Sequence, residues 1–220
     1  MEFDLAYLMA QGPALMRGLW LTVQVSAISI VLSIVIGLMG AAVRVLKLPV
    51  LDKLVVGYVE FIRNTPLLAQ LFFIFYGLPT IGLKLSLFWS GVLSLTLWAG
   101  AYQVENIRGG LETVAKGLRE AAFSLGLTPW RFFRLIAAPM AIRVGLPSML
   151  NTSISLLKNS SYLQAIGLAE LTYVAIDRIS MDFRTIEMFV AICVIYLALV
   201  LVLSVFANRL ENRLNKPFRV

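Results

Sequence analysis

The stretch that decides how this chain folds is Arg119–Pro147, REAAFSLGLTPWRFFRLIAAPMAIRVGLP. It lies between long apolar segments, yet its own pattern is helical, amphipathic and basic. Gly126 suits the end of a first helix, because glycine adopts the left-handed conformation there without strain. Thr128 and Pro129 suit the cap and the first turn of a second helix. The pattern therefore predicts two short helices joined by a sharp turn.

The first of these helices is expected over Leu111–Leu125 and the second from Thr128 to about Ala137. Gly109-Gly110 is expected to loosen the chain before them. An amphipathic pair of this kind suits the groove of a partner protein, and it equally suits the lipid head-group layer, where it would act only as an anchor. The residues alone leave both interpretations open.

The rest of the chain is dominated by apolar residues. Of its 220 residues, 60% are hydrophobic and 14% are charged, whereas soluble domains carry about a quarter charged residues. The composition predicts an all-α membrane protein of about five transmembrane helices. Uncharged runs put the spans in a single transmembrane domain at residues 18–43, 64–83, 85–107, 142–165 and 187–208, with the two short helices in the loop 109–140.

Two of the predicted spans are interrupted. Pro66 is expected to break or kink the second, because proline lacks a backbone donor and restricts the residue before it. Polar residues crowd the fourth, where Lys158 and Asn159 predict a broken helix that lines a cavity. Ser153 and Ser155 in that span are expected to bond neighbouring helices.

Basic residues concentrate in three segments, 44–53, 108–143 and 209–220, which hold most of the 19 lysines and arginines. The positive-inside rule predicts that these segments are cytoplasmic, with the N-terminus outside and the C-terminus inside. This distribution also explains the net charge of +7, so no nucleic-acid partner is needed. The segments contain Arg44, Lys47 and Lys53; Arg108, Lys116, Arg119, Arg131, Arg134 and Arg143; and Arg209, Arg213, Lys216 and Arg219.

Several residue types are absent from the sequence. There is no histidine and only one cysteine, Cys193, which removes the usual general base, a metal site of cysteines and an intrachain disulfide. The phosphate-binding pattern G-x-x-x-x-G-K-[ST] is also missing, so this chain is not itself an ATPase. Its first charges are Glu2 and Asp4 rather than a basic leader, so the first hydrophobic segment is expected to stay as a span.

Other polar residues in or near the spans are candidates for a translocation path or for structural pairs. Lys158 either lines the path or pairs with Glu105 or Glu60. Glu60 and Arg63, one turn apart, form either a gate or a salt bridge worth under ~1 kcal/mol. Glu105 and Arg108 have the same spacing. Weaker candidates for the path are Gln70, Tyr76, Tyr102 and Gln103.

The central stretch resembles the signature loop of ABC importer permeases, which reads E-A-A, three residues, G, nine residues, I-x-L-P. Glu120-Ala121-Ala122, Gly126 and Ile136-Ala137-Ala138-Pro139 fit this pattern. Ala138 is the one departure, since it replaces the usual leucine.

Motifs along nearly the whole chain are similar to those of the polar amino acid branch of that family. Asn159 is a departure within them: it stands where the branch usually has aspartate, which removes a carboxylate. The motifs are Gly18-Leu19 with Thr22 and Ser26; residues 61–68, FIRNTPLL; Ala101-Tyr102 with Glu105, Arg108 and Gly109; Arg143, Leu146-Pro147 and Asn151; and Lys158-Asn159-Ser160-Ser161.

The resemblance implies the permease subunit of an ATP-driven importer, in which a solute-binding protein delivers a polar amino acid that crosses by alternating access. ATP and Mg would bind a partner dimer of ATPase subunits, so this chain would hold no cofactor and no catalytic residue. A second copy or a similar permease would complete the pathway in the bilayer. The outer segment 166–187, with its mixed charges, would receive the binding protein or would simply be a solvated loop.

The resemblance also implies roles for individual residues. The residues implied for ATPase coupling are Glu120, Ala121, Ala122, Gly126, Arg131 and Pro139. The candidates for the substrate path are Lys158, Asn159, Ser160, Ser161, Gln70, Tyr102, Glu105 and Asn151. Two other functions are compatible with apolar spans: a secondary transporter or channel subunit that needs no ATPase, and a membrane anchor for a peripheral complex. The first would be favoured by inverted repeats, and no internal repeat is apparent.

Overall fold

The computed structural model describes residues 3–114 and 116–215, without the side chains of residues 214 and 215. Within these ranges every regular element is a helix, which confirms the predicted all-helical architecture. Two of the basic residues assigned to the C-terminal segment, Lys216 and Arg219, lie outside the described residues.

The helices vary widely in length. The α-helices are α1 Leu5–Ala10, α2 Gly12–Leu46, α3 Pro49–Arg63, α4 Leu67–Phe72, α5 Leu87–Glu112, α6 Lys116–Ser124, α7 Pro129–Phe132, α8 Ala138–Asn159, α9 Leu171–Asp182 and α10 Thr185–Asn215. Short π-helical turns, Phe73–Gly77 and Phe133–Ala137, follow α4 and α7. Segments of 3-10 helix, Leu78–Ile81 and Ser160–Ile166, precede α5 and α9.

Three helical stretches of the described chain are long and apolar enough to cross a membrane: Gly12–Leu46, Pro129–Ile166 and Thr185–Arg213. A fourth is added if the broken pair Pro49–Arg63 and Leu67–Ile81 counts as one span. The predicted third span corresponds to α5, which is long enough at 26 residues but less apolar. Its buried polar residues lower its hydropathy: Ser90, Ser94, Thr96 and Gln103. The count of five spans therefore stays a prediction.

The predicted break at Pro66 is present. Helix α3 ends at Arg63 and α4 begins at Leu67, because the residue before a proline is disfavoured in the helical conformation. Asn64 closes the end of α3 through its amide nitrogen, which donates to the backbone oxygen of Glu60 at 2.7 Å.

The first of the two predicted loop helices is not one continuous element. Helix α5 runs through Gly109-Gly110 to Glu112, and α6 begins only at Lys116. The glycine pair does not loosen the chain as expected, because Gly110 packs against another helix: a Cβ there would lie 2.3 Å from the backbone oxygen of Ala141. Glycine at this position permits a close helix–helix approach.

The second predicted loop helix does not end near Ala137. Helix α7 continues through the π turn into α8, so the helical path passes both Pro139 and Pro147. Proline cannot donate to the carbonyl four residues back. The wider π turn at Phe133–Ala137 gives the helix a different bonding pattern just before Pro139, where an α-helix would otherwise kink or end.

The described residues form two compact units, and both draw on several helices. Unit 1 contains the described part of Met1–Ser29, Leu67–Leu95 and Ile154–Val205. One of its core clusters is built from Leu15, Leu171, Ala175, Met188, Ala191 and Ile192.

Unit 2 contains Ile30–Pro66, Thr96–Ser153 and the described part of Phe206–Val220. Its larger core cluster joins α5 and α8 to the segment between them. A smaller cluster packs Val59 and Ile62 of α3 against Ala101 and Val104 of α5.

Candidate functional site

The turn after α6 has the geometry that the sequence predicts. Gly126 has a φ of 79°, in the left-handed region. Its N–H donates to the oxygen of Phe123 at 3.0 Å, and the N–H of Leu127 donates to the oxygen of Ala122 at 3.1 Å. This pair of bonds is the Schellman motif that closes many helices. A Cβ at Gly126 would meet nothing within 4 Å, so the requirement for glycine comes from the backbone alone.

The start of α7 is capped as predicted. The hydroxyl oxygen of Thr128 accepts a hydrogen bond from the N–H of Arg131 at 3.3 Å, and Pro129 occupies the first turn. The turn and the cap together give α6 and α7 a defined geometry. We call residues 116–137, which comprise α6, α7 and the following π turn, the coupling segment.

The coupling segment has a buried side and an exposed side. Phe132, Phe133 and Ala137 are buried in the larger core cluster of unit 2. Ala122 is buried with them, and the ring of Phe123 lies 5.5 Å from that of Phe132, centroid to centroid. The segment is therefore supported from beneath by packing rather than held by its turn alone.

The exposed side carries most of the residues that the signature implies. Glu120, Ala121, Gly126 and Arg131 are exposed, and so is Pro139 just beyond the segment. Ala122 is the exception: it packs inward, so only Ala121 of the alanine pair lies on the exposed side. This face offers an acidic group, a basic group and a small residue to a partner.

A ladder of charges joins α3 and α5 within unit 2. Arg108 pairs with Glu105 at 2.8 Å, as the spacing predicts, and also with Glu112. Arg63 lies 3.9 Å from Glu105 and 5.2 Å from the ring centroid of Tyr102. Its ion pair is thus made with the neighbouring helix rather than with Glu60, whose carboxylate accepts a hydrogen bond from Asn64. Two predicted path residues, Tyr102 and Glu105, meet at this ladder.

The fourth predicted span breaks where its polar residues predict. Helix α8 ends at Asn159, and a 3-10 helix continues to Ile166 before Gly167 turns with a φ of 87°. Lys158 is exposed, Asn159 and Ser161 are half-buried, and Ser160 is buried. We call residues 158–167 the broken segment.

Other predicted path residues lie in different surroundings. Helix α4, which carries the buried Gln70, packs against the broken segment in unit 1. Asn151 is exposed on α8. Ser153 donates to the oxygen of Met149, four residues earlier in α8, at 2.9 Å, so this bond lies within its own helix and not between helices as expected. The path candidates of unit 1 therefore lie around the broken segment, whereas in unit 2 Tyr102 and Glu105 lie at Arg63 and Asn151 is on α8.

The sequence reading missed a buried carboxylate, that of Glu170. It was counted among the charges of an outer loop, but residues 171–182 form α9 and Glu170 is 0% exposed at its start. One carboxylate oxygen accepts from the N–H of Tyr173 at 2.8 Å and the other from the N–H of Thr172 at 3.0 Å. Glutamate is not among the residues preferred at helix N-caps, which are Ser, Thr, Asp, Asn and Gly, so the sequence carries no clear signal for this cap.

Side chains complete the surroundings of Glu170. The hydroxyls of Tyr196 and Thr22 donate to its carboxylate at 3.0 and 3.4 Å. Helix α9, which Glu170 caps, packs against the 3-10 helix of the broken segment. Burial raises the pKa of the Glu170 carboxyl, against the opposing effect of these hydrogen bonds. We call Glu170, Thr22, Thr172 and Tyr196, with their hydrogen bonds, the Glu170 network. Through α9, this network supports the broken segment.

A second buried network was also missed, between α5 and α8 in unit 2. The amide of Gln103 donates to the oxygen of Met149 at 3.2 Å. The amide of Asn106 donates to Thr152 at 2.9 Å and to Gln103 at 3.1 Å. Gln103, a weaker candidate for the path, is fully buried and bonds neighbouring helices instead.

The described residues contain no group of three His, Cys, Asp or Glu side chains that could hold a metal ion. The fold is that of a helical membrane protein with an exposed, rigidly supported segment beside its spans. These features place the chain in the class of multi-span helical membrane proteins.

Comparison with known proteins gives the family. The family described as "Binding-protein-dependent transport system inner membrane component" matches residues 6–216, so the chain belongs to it. The chain is 36% identical to a probable amino-acid ABC transporter permease protein PatM of Vibrio harveyi over 99% of both chains. It is 34% identical to the glutamine transport system permease protein GlnP of Escherichia coli K12, over 97% of this chain and 99% of GlnP.

Solved structures agree with this assignment. A chain of an amino acid ABC transporter crystallised with histidines is 32% identical, with a TM-score of 0.87 over 97% of this chain and 100% of that one. The methionine transporter MetNI, at 22% identity and a TM-score of 0.79 over 91% of this chain and 95% of that one, shares the fold. The resemblance to ABC importer permeases is confirmed, and the protein is a multi-pass membrane protein.

Proposed function

We propose that this chain is the permease subunit of an ATP-driven importer, through which a polar amino acid delivered by a solute-binding protein crosses the membrane by alternating access. The observation that carries the proposal is the coupling segment, whose exposed face rests on a buried support. Membership of the transport family supports it, as do the relatives named as amino-acid and glutamine permeases. A secondary transporter or channel subunit would have no use for such a face.

The coupling segment is the proposed dock for a dimer of cytoplasmic ATPase subunits. The coupling residues are Glu120, Ala121, Ala122, Gly126, Arg131 and Pro139. The exposed Glu120 and Arg131 would make charged contacts, while Gly126 sets the direction of α7. ATP and Mg bind the partner, since this sequence has no phosphate-binding loop.

The proposed substrate path is lined by the broken segment and by the polar residues near it. Lys158 is the proposed anchor for the carboxylate that every amino acid carries, because a lysine at membrane depth is costly unless it faces a cavity or a ligand. Asn159, Ser160 and Ser161 would add hydrogen-bonding groups. The other path candidates are Gln70, Tyr102, Glu105 and Asn151, and Glu60 and Arg63 are the proposed gate or structural residues beside them.

The proposed assembly contains further chains. A second permease, identical or similar, would complete the pathway, because a single chain of this size provides too few spans to enclose one. The distribution of basic residues supports an N-terminus outside and a cytoplasmic C-terminus. The solute-binding protein would then approach from the outer side, where α9 and its flanks are the proposed contact.

The test of the proposal is Gly126→Asp. An added side chain strains the left-handed turn, so α7 is misdirected and the ATPase no longer docks. We expect the variant to insert in the membrane, to lose co-purification with the ATPase, and to lose ATP-driven uptake of amino acid in proteoliposomes. The matched control is Gly117→Asp, because Gly117 lies in α6 of the same segment and a Cβ there also meets nothing within 4 Å.

Normal co-purification and transport by the Gly126→Asp variant would show that the coupling segment is not the dock. Uptake by the wild-type complex that is independent of ATP would overturn the importer proposal itself.

A further inference from the structure

A cavity of about 470 Å³ lies within unit 2, on the buried side of the coupling segment. Its walls are formed by the C-terminal end of α2, the start of α3, the C-terminal end of α5 and the start of α6. Phe132 and Ala137 also line it. The cavity shares Lys116, Arg119, Phe132 and Ala137 with the coupling segment, but the exposed residues Glu120, Gly126 and Arg131 lie outside its lining.

The charge of the cavity is strongly unbalanced. Its lining contains five basic side chains, Arg44, Lys47, Arg108, Lys116 and Arg119, and two acidic ones, Asp52 and Glu112. The formal charge of the lining is thus +3. A concave site with one dominant sign of charge concentrates ions of the opposite sign.

Only part of the basic set is neutralised by neighbours. Arg44 lies 3.5 Å from Asp52, and Arg108 pairs with Glu105 and Glu112. The ion pairs found in residues 3–114 and 116–213 include no acidic partner for Lys47, Lys116 or Arg119. Lys47 and Lys116 are therefore open to an anion from outside the chain, whereas the Arg119 guanidinium already lies 5.5 Å from the ring centroid of Phe123.

Lys47 occupies a backbone position that does not favour lysine. Its φ is 50°, in the left-handed region where glycine is preferred, and it follows the last residue of α2. The N–H of Leu48 donates to the oxygen of Val43 at 3.4 Å, so the left-handed Lys47 closes the C-terminus of α2. The turn brings a cation to the cavity from a segment remote in sequence from Lys116 and Arg119.

The remaining lining is apolar: Val45, Pro49, Leu111, Val114, Phe132 and Ala137. Cations above an apolar surface match a ligand that has a phosphate at one end and hydrocarbon at the other. Basic pockets next to transmembrane helices recognise the head groups of anionic lipids through the same combination. A free phosphate ion would use the cations but not the apolar surface.

We propose that this cavity binds a phosphate group, and that the membrane supplies it as the head group of an anionic phospholipid. The lipid would hold the α2–α3 turn against the start of α6. The proposal does not depend on which amino acid is transported.

The test compares ligands on the full-length permease, purified in neutral detergent with the subunits that accompany it. Phosphatidylglycerol, phosphatidylcholine and inorganic phosphate are titrated separately, and binding is followed by native mass spectrometry and thermal shift. We expect phosphatidylglycerol to bind on the order of tenfold more tightly than phosphatidylcholine. The double variant Lys47→Gln/Lys116→Gln should lose this preference.

The matched control is Lys53→Gln/Arg209→Gln, which also removes two positive charges but from exposed residues that do not line the cavity. It should bind phosphatidylglycerol within about twofold of the wild type, because those charges lie elsewhere on the surface. The double variant Lys47→Arg/Lys116→Arg keeps both positive charges and should retain phosphatidylglycerol binding. Retained binding would show that the glutamine variant loses binding through its charge and not through misfolding.

The outcomes separate the sources of the phosphate. Saturation by inorganic phosphate, with displacement of phosphatidylglycerol, supports the site and assigns it a soluble ligand. Equal binding of phosphatidylcholine, equal loss in the control variant, or binding of none of the three probes overturns the proposal.

Discussion

Two helix breaks in this chain end at left-handed glycines, Gly126 and Gly167, but their surroundings are opposite. The break in the coupling segment is exposed, and two backbone hydrogen bonds with the Thr128 cap are enough to close it. The broken segment at 158–167 is backed by the buried Glu170 network. An exposed break leaves its spare backbone groups to water, whereas a buried one requires polar partners from the protein.

Because of this difference, we expect the two breaks to have different functions. The coupling segment presents a surface and needs only a fixed direction. The broken segment positions individual polar side chains, so the helices behind it must hold it in place. Substitutions at the exposed break should change a partner interaction, and substitutions at the buried break should change transport or stability of the chain itself.

The largest effect is expected at Lys158. Lys158→Ala should lower ATP-driven uptake on the order of tenfold or more, because it removes the charged contact proposed for the carboxylate of the substrate. Co-purification with the ATPase should be unchanged, since the coupling segment is untouched. The control is Lys84→Ala, which removes the same charge from an exposed connection before α5. Wild-type uptake by Lys158→Ala would remove Lys158 from the path and leave its role structural.

A smaller effect, on stability, is expected at Glu170. Glu170→Ala leaves two backbone N–H groups at the start of α9 without their acceptor and should cost about 2–4 kcal/mol. Thermal unfolding of the purified chain measures the loss as a lower Tm. Glu112→Ala serves as the comparison, because Glu112 is an exposed acid whose pair with Arg108 is worth under about 1 kcal/mol. Equal Tm values for the two variants would show that the Glu170 network does not support the fold.

The smallest effect is a pH dependence that also comes from Glu170. Its pKa is raised in the folded chain by burial, so its contribution to stability is full below the ordinary glutamate pKa of about 4.3 and is lost as the pH rises through the raised pKa. The Tm of the wild type should therefore fall, relative to Glu170→Gln, over that interval. The other titrating groups are common to both proteins and cancel in the difference. A difference in Tm that is constant with pH would show that the carboxyl titrates normally.

Much of the coupling segment could be predicted from its residues because helix ends are local structures. Gly126, Thr128 and Pro129 act through backbone conformation and hydrogen bonds within a few residues. The break after Lys158 was predicted for a similar reason, since a run of polar residues cannot continue an apolar span. The continuation of α7 into α8 was not predicted, because a proline usually ends a helix and the π turn before Pro139 leaves no clear mark in the sequence.

The sequence did not predict the surroundings of three other residues, and the cause is different: each contacts a residue on another helix. Arg63 was assigned to Glu60 on its own helix, but Glu105 on α5 lies within 3.9 Å and takes the ion pair. Glu170 was assigned to a solvated loop, although Thr22, 148 residues away in the chain, helps to bury it. Gly110 was assigned to a flexible joint, although Ala141 requires the absence of a side chain there.

Apolar length, charge distribution and turn residues were sufficient to establish a helical membrane protein and its breaks, because each depends on neighbouring residues or on sums along the chain. The class of its partners came only from the resemblance of its motifs to a known family. Only the tertiary structure shows which residues form ion pairs, that Glu170 is buried, and that a cavity lies around Lys47, Lys116 and Arg119. Each of these unites residues far apart in sequence, and a contact of that kind depends on which helices pack together.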